Sequence, residues 1–214
     1  MTTVLKVGGA SVASLRLPAG PCVVVHGAGP QISEEMERRG LEPQFVGGRR
    51  VTTPEVLEIV RESFVQVNAV ICRAIGSRAV PLHGDEIGLL AEPRPELGLV
   101  GSALPTAPPA IVDALAAGLV PVVTPLAAGP LNVNADEAAA ALAVGLGAER
   151  LLFLSDVPGV FHDGELLEEI EAERAERLVG DGSFEGGIVP KLLAAAHAAR
   201  GGLVAEIGAT AVVA

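Results

Sequence analysis

Only two of the fifteen basic residues are lysine, and both stand beside a Gly-Gly pair: Lys6 in VLKVGGAS and Lys191 in EGGIVPK. Arginine serves at every other basic position. An ammonium is a compact charge on a flexible stem and suits a phosphate oxygen, so lysine kept at two glycine-flanked sites points to phosphate chemistry. Chance placement is the competing explanation, and the glycine flanks weigh against it.

Two glycine-rich turns follow strand-like runs, Lys6-Val7-Gly8-Gly9 and His26-Gly27-Ala28-Gly29-Pro30, and a helical pattern begins after the second. In a parallel sheet such turns lie at the carboxyl ends of the strands, where ligands bind. There glycine lets backbone N–H groups approach an anion. A single such turn is as often a steric necessity as a site. Neither lysine sits in GxxxxGK followed by Ser or Thr, and no GxGxxG follows the first strand, so the P-loop and dinucleotide motifs are excluded.

In LNVNADEAA, Asn132 and Asn134 are two of three asparagines in the chain and precede Asp136 at a helix start. A capping turn accounts for Asp136 but less readily for both asparagines. FVGGRRVT supplies Arg49 and Arg50, and a planar guanidinium binds a carboxylate bidentately. A solvated surface role is an equal alternative for each. His26, His83, His162 and His197 lack metal-ligand spacing, and no Ser, His and acid constellation suggests a hydrolase.

The elements that must position these residues alternate in type. Apolar runs at Val4–Val7, Val23–Val25, Ala79–Leu82, Leu119–Val123, Leu151–Leu154 and Leu203–Ile207 read as strands. Helical patterns cover Gln31–Arg39, Pro54–Ile75, Ala107–Ala117, Ala135–Leu146, Glu168–Leu178 and Pro190–Ala199. This alternation predicts an α/β fold with a mainly parallel sheet covered by helices. Thr53 before Pro54 predicts a capped helix start. Residues 84–101, rich in Pro, Glu and Gly, predict a long irregular excursion of the kind that forms lids. A boundary near Gly147 would divide residues 1–148 from 149–214, two lobes of one continuous domain.

With 214 residues, half of them hydrophobic, the chain can bury a substantial core. A net charge of −11 argues against a nucleic-acid surface. No apolar run reaches the roughly 18 residues of a membrane span, and no secretory signal is apparent, so a cytoplasmic location without membrane partners is expected. Cys22 and Cys72 suggest neither a disulfide framework nor zinc.

The segments KVGG, VVVHGAGPQI, GGRRVT, NVNAD, LSDVPGV and GGIVPK occur in the order seen in acetylglutamate kinases of the amino acid kinase family, which the sequence resembles over nearly its whole length. The resemblance implies a three-layer αβα sandwich, ATP as donor with Mg2+ carried on it, N-acetyl-L-glutamate as acceptor, and the second step of arginine biosynthesis. It implies that Lys6 and Lys191 neutralise the transferring phosphoryl group, that Asp136 holds the lysines, and that Gly8, Gly9, Gly27 and Gly29 offer backbone donors. Arg50, Asn132 and Asn134 would bind the amino acid, with Ala28 and Gly29 adding backbone contacts. Asp156, Val157, Pro158, Gly159, Val160, Phe161, Ser183, Phe184 and Glu185 would line the nucleotide site.

Ala28 stands where the family's HGGG has its middle glycine. The first crossover is short, and the chain closes quickly after Lys191. The extra N-terminal helix of arginine-inhibited members is absent, so the resemblance implies a homodimer insensitive to arginine. A γ-carboxylate, with pKa near about 4.3, is already ionised at neutral pH and needs no general base. The alternatives are a sibling kinase acting on carrier-linked aminoadipate or glutamate, and a non-catalytic nucleotide or amino acid sensor of the same fold.

Overall fold

The computed structural model describes residues 1–8, 15–154 and 157–214. From the N-terminus come β1 (Thr3–Val7), β2 (Cys22–His26), α1 (Gly29–Arg38), a hairpin of β3 (Phe45–Val46) and β4 (Arg49–Arg50), α2 (Pro54–Ile75), β5 (Ala79–His83) and α3 (Gly84–Ile87). Next are β6 (Ala91–Pro93), β7 (Val100–Ala103), α4 (Pro109–Ala116), β8 (Val120–Thr124), β9 (Leu126–Ala127), β10 (Leu131–Val133) and α5 (Ala135–Gly145). The chain ends through β11 (Arg150–Leu154), a hairpin of β12 (Val160–His162) and β13 (Glu165–Leu167), β14 (Glu169–Glu171), α6 (Ala172–Gly180), α7 (Ile188–Arg200), β15 (Val204–Ile207) and β16 (Thr210–Val213).

Among the described residues, eight strands form one sheet in the order β14-β16-β15-β11-β1-β2-β8-β5. Every neighbouring pair in it is parallel except β15 with β16. The central strands are apolar on both faces, as a sheet covered by helices on both sides requires. Along β1 and β2 the side chains alternate between two cores. Val4, Val23 and Val25 join α4, α5 and α7 on one face, while Leu5, Val7, Cys22 and Val24 join α1 and α2 on the other. The outcome is the three-layer αβα arrangement. Lys6, two residues on from Val4, therefore leaves the sheet on the α5 side.

The helix at Pro54–Ile75 begins as the sequence predicts. Thr53 Oγ1 accepts a hydrogen bond from the Val56 N–H at 3.2 Å, and Pro54 opens the first turn. Its buried positions, including Val56, Ile59, Val60, Phe64, Val67 and Ile71, recur at three- and four-residue steps. Burying each such side chain contributes about 1.5 to 3 kcal/mol.

Two expectations need correction. Residues 84–101 do not form an irregular excursion: they supply α3, β6, a short 3-10 turn at Pro95–Leu97 and the start of β7. Strands β6, β7, β10 and β9 make a second sheet. Leu89 and Leu97 are buried there, and this apolar anchoring is what orders a segment otherwise rich in breakers. Gly98, at φ +84°, lets the chain pass so close to the Thr52 carbonyl that a Cβ could not be accommodated. The predicted helix from Glu168 is likewise replaced at its start by β14, which pairs with β16. Ile170 is buried between exposed Glu169 and Glu171, a two-residue alternation that belongs to a strand.

Candidate active site

The starts of α1 and α5 and the carboxyl ends of β1 and β2 converge on a cavity of about 310 Å3, within the range of small-molecule sites. At its floor Lys6 Nζ lies 2.8 Å from Asp136 Oδ1. Lys191 Nζ, arriving from the first turn of α7, lies 3.4 Å and 3.5 Å from the two oxygens of the same carboxylate. The side chains are only 9%, 13% and 8% exposed for Lys6, Lys191 and Asp136, so two cations share one buried anion. Burial pushes the Lys191 ammonium below its usual value, Asp136 pulls it back up, and the neighbouring Lys6 pushes it down again. Asp136 occupies the first turn of α5, where the helix dipole favours a carboxylate. Lys191 has the opposite relation to α7, so the cluster carries a surplus of positive potential that suits a phosphate.

The cap of α5 is Asn134, not Asp136. Its Oδ1 accepts from the Asp136 N–H at 2.8 Å and the Glu137 N–H at 3.3 Å, which leaves the Asp136 carboxylate for the lysines. Asn134 Nδ2 donates to the Gly48 carbonyl at 3.4 Å. Asn132 is buried, and its amide donates to Thr52 Oγ1 at 3.0 Å. Thr52 Oγ1 in turn donates to the Arg50 carbonyl at 2.8 Å, so Asn132 is tied to the arginine-bearing strand.

Arg50 reaches from β4 to α1. One Nη2 donates to Ser33 Oγ at 2.9 Å and to the Gly29 carbonyl at 3.2 Å, Nη1 points at Met36 Sδ at 3.1 Å, and the guanidinium lies 4.6 Å from the Phe45 ring centre. It lines the cavity although it is 6% exposed. Burial lowers its pKa from the usual value. Thr52, Ser33, Phe45 and Phe64 were missed in the sequence reading; the signal available for Thr52 was its place in GGRRVT.

The glycines divide differently from expectation. Gly27 N–H donates to the Val7 carbonyl at 3.0 Å and Gly8 N–H to the Leu154 carbonyl at 3.4 Å, because the parallel ladders run one residue past β2 and β1. Their N–H groups are thus occupied, whereas Gly29 N–H opens α1, where the first N–H groups have no intrahelical acceptor. Gly9 lies outside the described residues. Ala28 lines the cavity and is 1% exposed among the core residues beneath α1; its φ of −141° carries no strain for alanine.

The two proposed nucleotide segments lie close to one another. Asp156 lies outside the described residues. Val157 and Pro158 are exposed, Gly159 and Val160 pack inward, and Phe161 is exposed on β12. Val160 N–H donates to Thr210 Oγ1 at 2.8 Å. Phe184 approaches the His162 ring with centroids 6.2 Å apart, joining the β12–β13 hairpin to Ser183–Glu185. Ser183 Oγ and N–H both bond Asp181 Oδ1, at 2.6 Å and 3.0 Å. Among the described residues no group of three or more His, Cys, Asp or Glu side chains is placed to hold a metal.

His26 is fully buried behind the glycine turn. Asn68 Nδ2 faces its Nε2 at 3.2 Å while also donating to the Val122 carbonyl at 2.8 Å, so Nε2 accepts and the proton sits on Nδ1, facing the Gly27 carbonyl at 3.4 Å. Burial lowers its pKa to about 4, against a slight rise from Gly27 and a further lowering from His83. Since the unfolded chain protonates near 6.5, stability from His26 is full above that pH and is lost as pH falls from about 6.5 to about 4. The loss is on the order of 3 kcal/mol in all. An NMR titration should find the His26 ring unchanged from pH 8 to about 5.5; a midpoint near 6.5 would contradict this placement.

The Amino acid kinase family profile matches residues 1–208. This chain belongs to the amino acid kinase family. Among its relatives is the acetylglutamate kinase of Rubrobacter xylanophilus, 42% identical, covering 96% of this chain and 88% of the relative. The acetylglutamate kinase of Methanopyrus kandleri is also 42% identical, over 93% of this chain and 91% of its own length. Among solved structures, smu.665 from Streptococcus mutans superposes with a TM-score of 0.88 at 25% identity, covering 99% of this chain and 98% of that one. Carbamate kinase from Giardia lamblia superposes at 0.71 with 16% identity over 99% and 98% of the chains, a likeness of fold. Within the amino acid kinase family, then, the αβα sandwich is the scaffold on which the two-lysine cluster is built.

Proposed function

We propose that this amino acid kinase transfers the γ-phosphoryl group of ATP to the γ-carboxylate of N-acetyl-L-glutamate, giving N-acetyl-L-glutamyl 5-phosphate, the second step of arginine biosynthesis. The observation that carries the reading is the buried Lys6–Asp136–Lys191 cluster, whose Lys6 and Asp136 line the same cavity as Arg50. The acceptor carboxylate is an anion at neutral pH and needs no base. His26, buried and neutral, offers none. What remains is to bring two anionic groups together and to balance charge on the phosphoryl group, which is positioning and electrostatic work.

In this reading Lys6 and Lys191 contact the phosphoryl oxygens, Asp136 spaces them, the start of α1 at Gly29 adds backbone donors, and Arg50 with Asn132 and Asn134 orients the amino acid. Mg2+ travels with ATP. The nucleotide lies against Val157–Phe161 and Ser183–Glu185, so residues 1–148 serve as the amino acid lobe and 149–214 as the nucleotide lobe. The names of the relatives support the acceptor. A cytoplasmic homodimer belongs to the same proposal; among the described residues no helix is long and apolar enough to cross a membrane.

The test is an ADP-release assay with Mg-ATP and a panel of N-acetylglutamate, glutamate, N-acetylaspartate and carbamate, trapping acyl phosphate with hydroxylamine. Hydroxamate is expected with N-acetylglutamate at a rate at least a hundredfold above the others. Turnover of another acceptor, or of none, would overturn the assignment.

A further inference from the structure

Arg49 is a cavity-wall cation for which the reaction above has no task. It neighbours Arg50 in β4, and strand alternation sends the two guanidinium groups to opposite sides. Arg50 holds α1. Arg49 holds α5 and β7: its Nη2 lies 2.8 Å from Glu137 Oε1 and 3.3 Å from Ser102 Oγ. Glu137 directly follows Asp136 in the first turn of α5. Burial raises the Glu137 pKa, and Arg49 opposes the rise more than Arg94 does.

Arg49 Nε is buried with no hydrogen-bond partner, so the pair is held at a desolvation cost. Arg49 lines both the catalytic cavity and a second cavity of about 220 Å3 against α7, which Glu137 also lines. Arg49 is the hairpin's ionic tie to α5, beside the hydrogen bonds of Arg50 to α1. Strand β3 exposes Phe45 at 55% and Val46 at 57%. Its turn, Gly47-Gly48, meets the Asn134 amide and the ring of Pro190, the residue before Lys191. One two-stranded element thus carries Arg50 and touches the starts of the helices that carry Asp136 and Lys191.

Resting on the kinase reading, we propose that the Arg49–Glu137 pair is a positioning latch: it fixes the β3–β4 hairpin on the first turn of α5, holding the carboxylate-binding Arg50 in register with the Asp136–lysine cluster. A misregister of about 1 Å at such a centre costs on the order of a hundredfold in rate.

The experiment compares Arg49→Met, Glu137→Gln and the double variant with the parent enzyme, measuring kcat, KM for each substrate and amide hydrogen exchange over residues 45–51. Each single variant should raise KM for N-acetylglutamate at least tenfold and lower kcat at least threefold, leave KM for ATP within twofold, and speed hairpin exchange at least tenfold. The double variant should be no worse than the poorer single one, since both remove the same interaction. Single variants with KM and kcat within twofold of the parent, or effects that multiply in the double variant, would overturn the latch. A parent enzyme that forms no acyl phosphate would end the kinase reading alone, and hairpin exchange would then decide the latch: faster in both single variants sustains it, unchanged sinks it.

Discussion

Asp136→Asn should both destabilise the protein and abolish turnover. The substitution keeps side-chain shape and leaves the Asn134 cap intact, since that cap uses the backbone N–H groups of residues 136 and 137. It removes the one carboxylate shared by two ammonium groups that are 9% and 13% exposed. Breaking a buried pair by deleting one partner costs about 3 to 5 kcal/mol, because a desolvated charge is left without its counterion. For a domain of this size that lowers Tm by on the order of 10 °C. Millimolar inorganic polyphosphate should restore much of the loss by supplying the missing negative charge, a rescue that a packing defect would not show. Turnover should fall at least a thousandfold, about 4 kcal/mol, because Lys6 and Lys191 repel one another out of position. An unaltered Tm together with normal turnover would remove Asp136 from the centre of the site.

The means of holding the two lysines was partly legible in the sequence, and the reason is physical. Lys6 and Lys191 stood out because arginine serves everywhere else, and NVNAD stood out because asparagine is rare in the chain. Strands β1, β2, β8 and β11 announced themselves as buried apolar runs, and α2 by a 22-residue periodicity with a Thr-Pro start. Strands β6, β7, β9 and β10 went unseen because two to four residues set among Gly and Pro make no continuous apolar run, although they support Val100, Asn132 and Val133 in the cavity wall. The cap at Asn134 could not be separated from Asp136 by sequence, since both residue types cap helices and only the hydrogen bonds distinguish them. Nor could the commitment of Gly27 N–H to Val7, which depends on where a ladder stops. Arg49 and Arg50 are adjacent and chemically identical, and only the alternation of β4 assigns them to different partners.

Lys191→Ala should show the reverse coupling of activity and stability. The truncation leaves Lys6 paired with Asp136 at 2.8 Å, one cation with one anion, and removes the ammonium that burial and Lys6 both disfavour. Folding therefore loses little. Tm should stay within about 2 °C of the parent or rise, as expected where a site stores destabilising charge for function. In the proposed role the loss falls on the transition state, in which negative charge on the phosphoryl group would face a position the ammonium no longer fills. A charge-assisted contact made fully only at that point contributes to kcat and not to ground-state binding. Turnover should drop about a thousandfold while KM for N-acetylglutamate changes less than threefold, since Arg50 and Asn132 line the cavity and Lys191 does not. Steady-state kinetics alongside a thermal melt makes the comparison. A variant with intact kcat, or one whose KM rises in step with the loss of kcat, would place Lys191 in substrate binding or outside the reaction. A large fall in Tm would mean that the cluster needs both ammonium groups to fold, contrary to the charge balance argued from its geometry.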